Sequence, residues 1–387
     1  MISKQFAVVI LILLSCIFTI SVDAQPVPAA ERFVEYESLL LNKRIGLVVN
    51  QTSMVDSVHL IDYLQGKGVG IVRIFAPEHG LRGGAEAGEK VQGGIDPVSG
   101  IPVVSLYGNH KKPLAKDMTG LDLVVFDLQD VGARFYTYIS TMHYVMEACA
   151  GHNVSMLVLD RPNPNGHYVD GPVLDDNYRS FVGMHKIPVV HGLTIGELAN
   201  MINGENWLAE GSCDLEVVKC SDYSHNDRYS LPVQPSPNLP NDQAIAWYPS
   251  LCLLEGTPVS VGRGTEFPFQ VAGYPDEAMG GFRFKPVSMP GKSLHPKSEG
   301  EWCYGVDLRE KPAPNAFSLK WVMHFYHRWS DVGPFFKPFF DTLAGTDELR
   351  KQIEAGLSEE EIRLTWQEEL NDFKKIRKQY LLYPDFE

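Results

Sequence analysis

Leu121-Asp122-Leu123-Val124-Val125-Phe126-Asp127 is, apart from Asp122 and the closing Asp127, a continuous apolar run rather than an alternating one. A strand buried on both faces reads this way, and such strands belong to parallel sheets covered by helices. Working outward from it, strand-like and helix-like segments alternate from Arg44 to about Cys220. Upstream lie Ile45-Gly46-Leu47-Val48-Val49-Asn50, a short helix over His59 to Gln65, the strand Gly70-Ile71-Val72-Arg73-Ile74-Phe75, and a strand over Pro102 to Leu106. Downstream, Ile139, Met142, Val145 and Met146 give Phe135 to Ala150 helical spacing. Val154 to Asp160 is a further strand. Leu193 to Ile202 is a helix, with Thr194 and Glu197 at the spacing of a capping box. Leu215 to Lys219 closes the series. Alternation of this kind predicts an α/β fold with a parallel sheet between helical layers.

The proline-rich stretch Ser230 to Pro240 reads as a stiff, extended connection. Beyond it, Asp242 to Glu387 is less regular, with helices predicted over Phe317 to Trp329 and Glu359 to Tyr380. A length of 387 residues exceeds one ordinary core, so two domains are expected, over residues 25–240 and 241–387. Before them, Lys4, the apolar run Phe6 to Val22 and the small residues of Val22-Asp23-Ala24 read as a secretory signal peptide over residues 1–24, cleaved before Gln25. A lipoprotein signal ending at Cys16 is the weaker alternative, because Ile17, Phe18 and Ile20 stay apolar where a lipoprotein turns polar. The mature chain is expected in the periplasm or outside the cell, with no stable membrane insertion. Its five cysteines are odd in number, so buried free thiols are expected rather than a complete disulfide framework.

A formal net charge of -14 argues against a nucleic-acid partner. The chain has no G-x-G-x-x-G after a strand, and Gly108-Asn109-His110-Lys111-Lys112 lacks the glycine spacing of a P-loop. It has no H-E-x-x-H, no Cys/His cluster of metal spacing and no G-x-S-x-G. No cofactor and no metal is therefore expected. What remains is chemistry carried by carboxylates. In an open α/β sheet the ligand crevice lies beyond the carboxyl ends of the strands. The residues just past those ends are Asn50; Glu78, His79 and Arg82; Asp127, Gln129 and Asp130, with Arg134, Tyr136 and Tyr138 following; and Asp160 and Arg161. The later part of the chain adds Glu255 and then Arg263 between two glycines, with Thr265. An Arg so placed can clamp a carboxylate through two parallel bonds, or be paired with Glu255 or Glu266 inside a tight turn. Glycoside hydrolysis needs one protonated carboxyl and a second group for the water or the cation. A non-catalytic two-lobed binding protein and another carboxylate-dependent hydrolase, such as an amidase or esterase, use the same kind of crevice.

Several stretches carry a resemblance. Ala76-Pro77-Glu78-His79-Gly80-Leu81-Arg82-Gly83, Phe126 to Tyr138, Leu159-Asp160-Arg161-Pro162-Asn163-Pro164, Glu255-Gly256-Thr257 and Gly262-Arg263-Gly264-Thr265 resemble the NamZ-type exo-β-N-acetylmuramidases, from about Arg44 to the C-terminus. The resemblance implies a Rossmann-like domain joined to a smaller α/β domain, with the active site in the cleft between them. It implies release of N-acetylmuramic acid from the non-reducing end of peptidoglycan-derived disaccharides or muropeptides. The family's catalytic glutamate falls on Glu78, which apolar Phe75 and Pro77 flank. The expectation is that Glu78 protonates the glycosidic oxygen and His79 orients it. Asp127 or Asp130 assists the water or the acetamido group. Arg263 or Arg161 pairs with the lactyl carboxylate, and Tyr136 and Tyr138 stack on the sugar ring.

Overall fold

The six strands predicted from the sequence, with Gly94–Ile95 as an unpredicted seventh, form one sheet. The computed structural model describes residues 25–78, 80–81, 93–313, 315–330 and 333–387. Residues 1–24, His79 and Arg82 lie outside this set. From edge to edge the order is Leu215–Val218, Ser155–Leu159, Leu123–Asp127, Ile45–Val49, Ile71–Ala76, Pro102–Ser105 and Gly94–Ile95. All neighbours are parallel except the two-residue strand Gly94–Ile95, which runs antiparallel at one edge. Taken in chain order, the six parallel strands stand third-second-first-fourth-fifth-sixth, the doubly wound order that reverses between Ile45–Val49 and Leu123–Asp127. A reversal of this kind opens a crevice at the carboxyl ends of those two strands.

The pleat explains why these strands are apolar throughout. Ile45, Leu47, Val49, Ile74, Leu123, Val125, Leu157 and Leu159 face one side, where Ala29, Tyr36 and Leu40 and the helix Leu60–Gly66 cover them. Val48, Phe75, Val124, Phe126, Met156 and Val158 face the other, under the helices Tyr138–His152 and Ile195–Gly204. Each such side chain contributes about 1.5–3 kcal/mol on burial. The capping box at Thr194 and Glu197 forms as predicted, and Asn153 in the left-handed conformation ends the helix Tyr138–His152.

Ser230 to Pro240 runs without helix or ladder strand. Beyond it, a three-stranded antiparallel sheet, in the order Val271–Tyr274, Cys303–Asp307, Phe282–Phe284, joins the helices Asp242–Leu251, Lys320–Tyr326 and Pro338–Ala344. The second core face continues without a break into this smaller unit, through Trp247, Leu251, Phe317, Phe325 and Phe340. The predicted helix over Glu359 to Tyr380 is in fact two, Glu359–Thr365 and Gln367–Arg377, broken at Trp366. Burial of the Trp366 ring against Phe317 outweighs the helical continuity read from the charges. The second helix then brings Arg377 to the Gly192 carbonyl (2.8 Å), and the tail brings the Tyr383 hydroxyl to Asp160 (2.6 Å). All five described cysteines are buried free thiols. Among the described residues, no helix is long and apolar enough to cross a membrane.

Candidate functional site

A cavity of about 170 Å³ opens beside the strand reversal. The sheet supplies one wall. Glu78 stands two residues past the strand Ile71–Ala76, half-buried, and Tyr136, Thr137 and Tyr138 lead into the amino end of the fifteen-residue helix Tyr138–His152. Thr137 donates its hydroxyl to Glu78 Oε2 at 3.0 Å. Glu78 thus lies at the amino end of this helix. The Tyr138 hydroxyl receives a bond from Asn50 Nδ2 (2.7 Å), and Tyr136 donates to the Pro235 carbonyl (2.8 Å). The two rings meet edge to face with centroids 4.9 Å apart. Burial, and for Tyr138 also the nearby Glu78 charge, hold both phenols well above their ordinary range, so both stay protonated donors.

The smaller unit adds Tyr248, Glu255, Arg263, Phe269 and, from the helix Pro338–Ala344, Phe339 and Leu343 to the lining. Arg263 sits between Gly262 (φ 82°) and Gly264 (φ 77°). A Cβ at Gly264 would meet the Val287 carbonyl at 2.5 Å, so only glycine allows this turn. Arg263 grips Glu255 through two bonds, Nε to Oε1 at 2.6 Å and Nη2 to Oε2 at 3.0 Å. Its guanidinium also lies 5.1 Å from the Phe269 ring centre. Burial opposes the Glu255 charge, but Arg263 outweighs it and holds the carboxyl below its ordinary value. Lys297 steadies the turn beneath by donating to the carbonyls of Leu254 (3.0 Å), Glu255 (2.9 Å) and Thr257 (2.6 Å). Burial brings its ammonium down to about 8.

Of the residues read from the sequence, Glu78, Tyr136, Tyr138, Glu255 and Arg263 line this cavity. The other described ones are placed elsewhere. Asp127 and Arg161 form a buried two-bond ion pair, Nε to Oδ1 at 2.6 Å and Nη2 to Oδ2 at 2.9 Å. Arg161 is thereby committed and not open to a substrate carboxylate. Asp130 is buried and accepts from the Gly132 amide at 2.7 Å, shaping its own loop. Gln129 donates to the carbonyls of Asp130 and Pro162, both at 2.8 Å. Asp160 accepts from the Arg161 and Gly196 amides and from the Thr194 and Tyr383 hydroxyls. Burial pushes its carboxyl up to about 6 against the Tyr383, Thr194 and Gly196 donors. Arg134 is fully buried and binds the carbonyls of Pro172, Ile187, Leu343 and Ala344, tying the hairpin Asp170–Val173 and Pro188–Val190 to the helix Pro338–Ala344. Burial alone brings it down to about 9. Thr265 donates to the Gly262 carbonyl (2.6 Å) and so fixes the Arg263 turn. His79 and Arg82 fall outside the described residues. Thr137 and Tyr248 were not singled out in the sequence. Thr137's signal was its place between two tyrosines, one residue before a predicted helical stripe.

Comparison with known proteins now bears on this geometry. Residues 45–243 match the family model for the exo-β-N-acetylmuramidase NamZ N-terminal domain, and residues 246–383 match that for its C-terminal domain. The chain is 39% identical over 373 residues to the peptidoglycan β-N-acetylmuramidase NamZ of Bacillus subtilis (strain 168), covering 90% of this chain and 89% of that protein. A crystal structure of a DUF1343 family protein from Bacteroides fragilis NCTC 9343 superposes with a TM-score of 0.87 at 45% identity, covering 94% of this chain and 100% of that one. A second such protein from the same strain gives 0.79 at 30% identity, covering 93% and 99%. With both halves matched and a relative aligned along nearly its whole length, this chain belongs to the NamZ family of exo-β-N-acetylmuramidases.

Proposed function

We propose that this protein is an exo-acting glycoside hydrolase that removes N-acetylmuramic acid from the non-reducing end of peptidoglycan fragments. Glu78 is its general acid. The observation carrying this reading is that Glu78 and Glu255 line one cavity, together with a tyrosine pair and a guanidinium. Oε2 of Glu78 is engaged by Thr137, which leaves Oε1, among the described contacts, to carry the proton to the glycosidic oxygen. As that bond breaks, Glu78 becomes anionic and the sugar gains oxocarbenium character. Glu255, kept charged by Arg263, is the carboxylate that stabilises this positive charge. Arg263 spends Nε and one Nη2 bond on Glu255, and its remaining Nη1 edge is the donor we assign to the lactyl carboxylate. Tyr136, Tyr138 and Phe269 supply apolar surface for the sugar ring.

A chromogenic β-N-acetylmuraminide and its glucosaminide counterpart test the reading. Release from the muraminide is expected. Release from the glucosaminide alone would overturn it, since the lactyl group is then not recognised.

Thr137 has a role of its own. A hydroxyl bonded to a neutral acid is worth less than one bonded to a carboxylate, by about a factor of two. The bond therefore strengthens as the proton leaves, which stabilises the transition state over the ground state. Thr137→Val is expected to lower kcat on the natural disaccharide by roughly tenfold with KM little changed. An aryl muraminide with a good leaving group needs little proton donation and should lose almost nothing. Thr137→Ser should restore the disaccharide rate. Equal losses on both substrates would mean that Thr137 serves structure only.

A further inference from the structure

A second cavity, of about 410 Å³, lies against the same helix as the first. Lys111, His143, Tyr144, Arg179, Phe181 and Trp207 are among its lining residues. Thr137, at the helix N-cap, lines the first cavity and Tyr144 the second, and both are half-exposed. Seven residues are two helical turns, so both stand on one face of the helix, on the order of 10 Å apart along its axis. Between them Ser140 donates to the Phe181 carbonyl at 2.8 Å and pins a loop across that face. Val182 of this loop lines the first cavity and Phe181 the second. The two hollows are thus separated by one ridge on a shared surface.

The chemistry of the second hollow is cationic and aromatic. Its one lining carboxylate, Glu147, is spent, accepting from Lys112 (3.0 Å), the Ala209 amide (3.1 Å) and His143 (3.2 Å). Burial lowers His143 and His185 below their ordinary values, so neither adds charge near neutral pH. Lys111 Nζ stands 4.2 Å from the Phe181 ring centre, and Arg179 gives Nε to the exposed Asp176. The Tyr144 and Phe181 rings stack at 6.2 Å with an 11° interplanar angle, and Trp207 stacks on His185. Aromatic faces suit pyranose rings, and ammonium with guanidinium suits a carboxylate.

We propose that this second cavity is an aglycone-side site for the next carboxylate-bearing sugar of a glycan chain whose terminal sugar occupies the first. The inference rests on the hydrolase reading given above. With the terminal muramic acid at Glu78, its neutral neighbour crosses the Val182–Phe181 ridge, and the following lactyl carboxylate reaches Lys111 and Arg179. The axial separation corresponds to one disaccharide repeat. The enzyme would then favour glycan chains over the single disaccharide.

The test measures kcat and KM for the peptide-free disaccharide and tetrasaccharide, and their binding to the inactive Glu78→Gln protein by calorimetry. In wild type, the tetrasaccharide KM and Kd are expected to be lower than the disaccharide values by roughly fivefold or more at low salt. Lys111→Glu should abolish that gain and leave disaccharide kinetics unchanged; Arg179→Glu should act likewise. A tetrasaccharide whose internal lactyl carboxyl is capped as an amide should lose the gain as well. Equal KM for both substrates in wild type, equal effects of Lys111→Glu on both, or an undiminished gain with the capped substrate would each overturn the proposal. If wild type cleaves neither glycan, it is the hydrolase reading that falls. Tighter tetrasaccharide binding to Glu78→Gln that depends on Lys111 would then still support the site.

Discussion

Glu78→Gln is expected to cut kcat on the natural disaccharide by about 10²–10⁴-fold, the usual contribution of a positioned proton donor. Stability and substrate affinity should stay close to wild type. The reasons lie in the local geometry. Glu78 is half-buried, its Oε2 is engaged only by the Thr137 hydroxyl among its described side-chain contacts, and a glutamine oxygen accepts that bond equally well. Among the described residues, no guanidinium or ammonium is left unpaired by the change, so the penalty of an orphaned buried charge does not arise there. What disappears is the transferable proton. The loss should therefore fall on kcat and leave binding intact, the signature of an interaction made only in the transition state. An activated aryl muraminide, whose leaving group departs without protonation, should recover much of the rate. A two-lobed binding protein predicts something else for the same variant, because it has no turnover to lose. Should Glu78→Gln retain more than a tenth of wild-type kcat on the disaccharide, the acid must be sought elsewhere on the cavity wall.

Much of this frame could be read in the sequence, for a physical reason. A strand covered on both faces must be apolar at successive positions, and Leu123–Asp127 and Ser155–Leu159 announce that requirement directly. Glu78 was legible because a strand end fixes which end of the sheet a residue occupies. Which way its side chain points was not. Asp127, Asp130, Asp160, Arg134 and Arg161 all follow strand ends, and all turned inward to bind loops, helix ends and one another. A crevice where strand order reverses must anchor many irregular backbone groups. The polar residues serving that purpose have the same types as those serving a ligand. Glu255 and Arg263 show the converse. The turn and its ion pair were foreseen as an alternative to ligand binding, yet the pair forms and also lines the cavity. The three short strands of the smaller unit left no mark, because Gly273 and Gly305 interrupt their apolar pattern and runs of three to five residues carry little periodicity.

Asp127→Asn makes the opposite prediction, a large loss of stability with the chemistry spared. Asp127 is wholly buried and Arg161 nearly so, and the guanidinium is held by two carboxylate bonds plus the Met54 carbonyl at 3.2 Å. Removing the negative charge strands a cation in a water-poor interior, which costs about 3–5 kcal/mol. In a chain of this size, that lowers Tm by roughly 5–10 °C. The damage should be general, because the pair joins the end of the strand Leu123–Asp127 to the loop after Ser155–Leu159 behind the cavity. The residual folded enzyme, assayed well below its Tm, should keep kcat within a few-fold of wild type. Replacing both partners, Asp127→Leu with Arg161→Met, leaves no orphaned charge and should recover most of the lost stability. A double-mutant cycle then gives a coupling energy that belongs to the pair and not to catalysis. An Asp127→Asn protein as stable as wild type but slower by a hundredfold would return Asp127 to the reacting groups, and with it the assignment of Glu255 as the charged partner of Glu78 would fall.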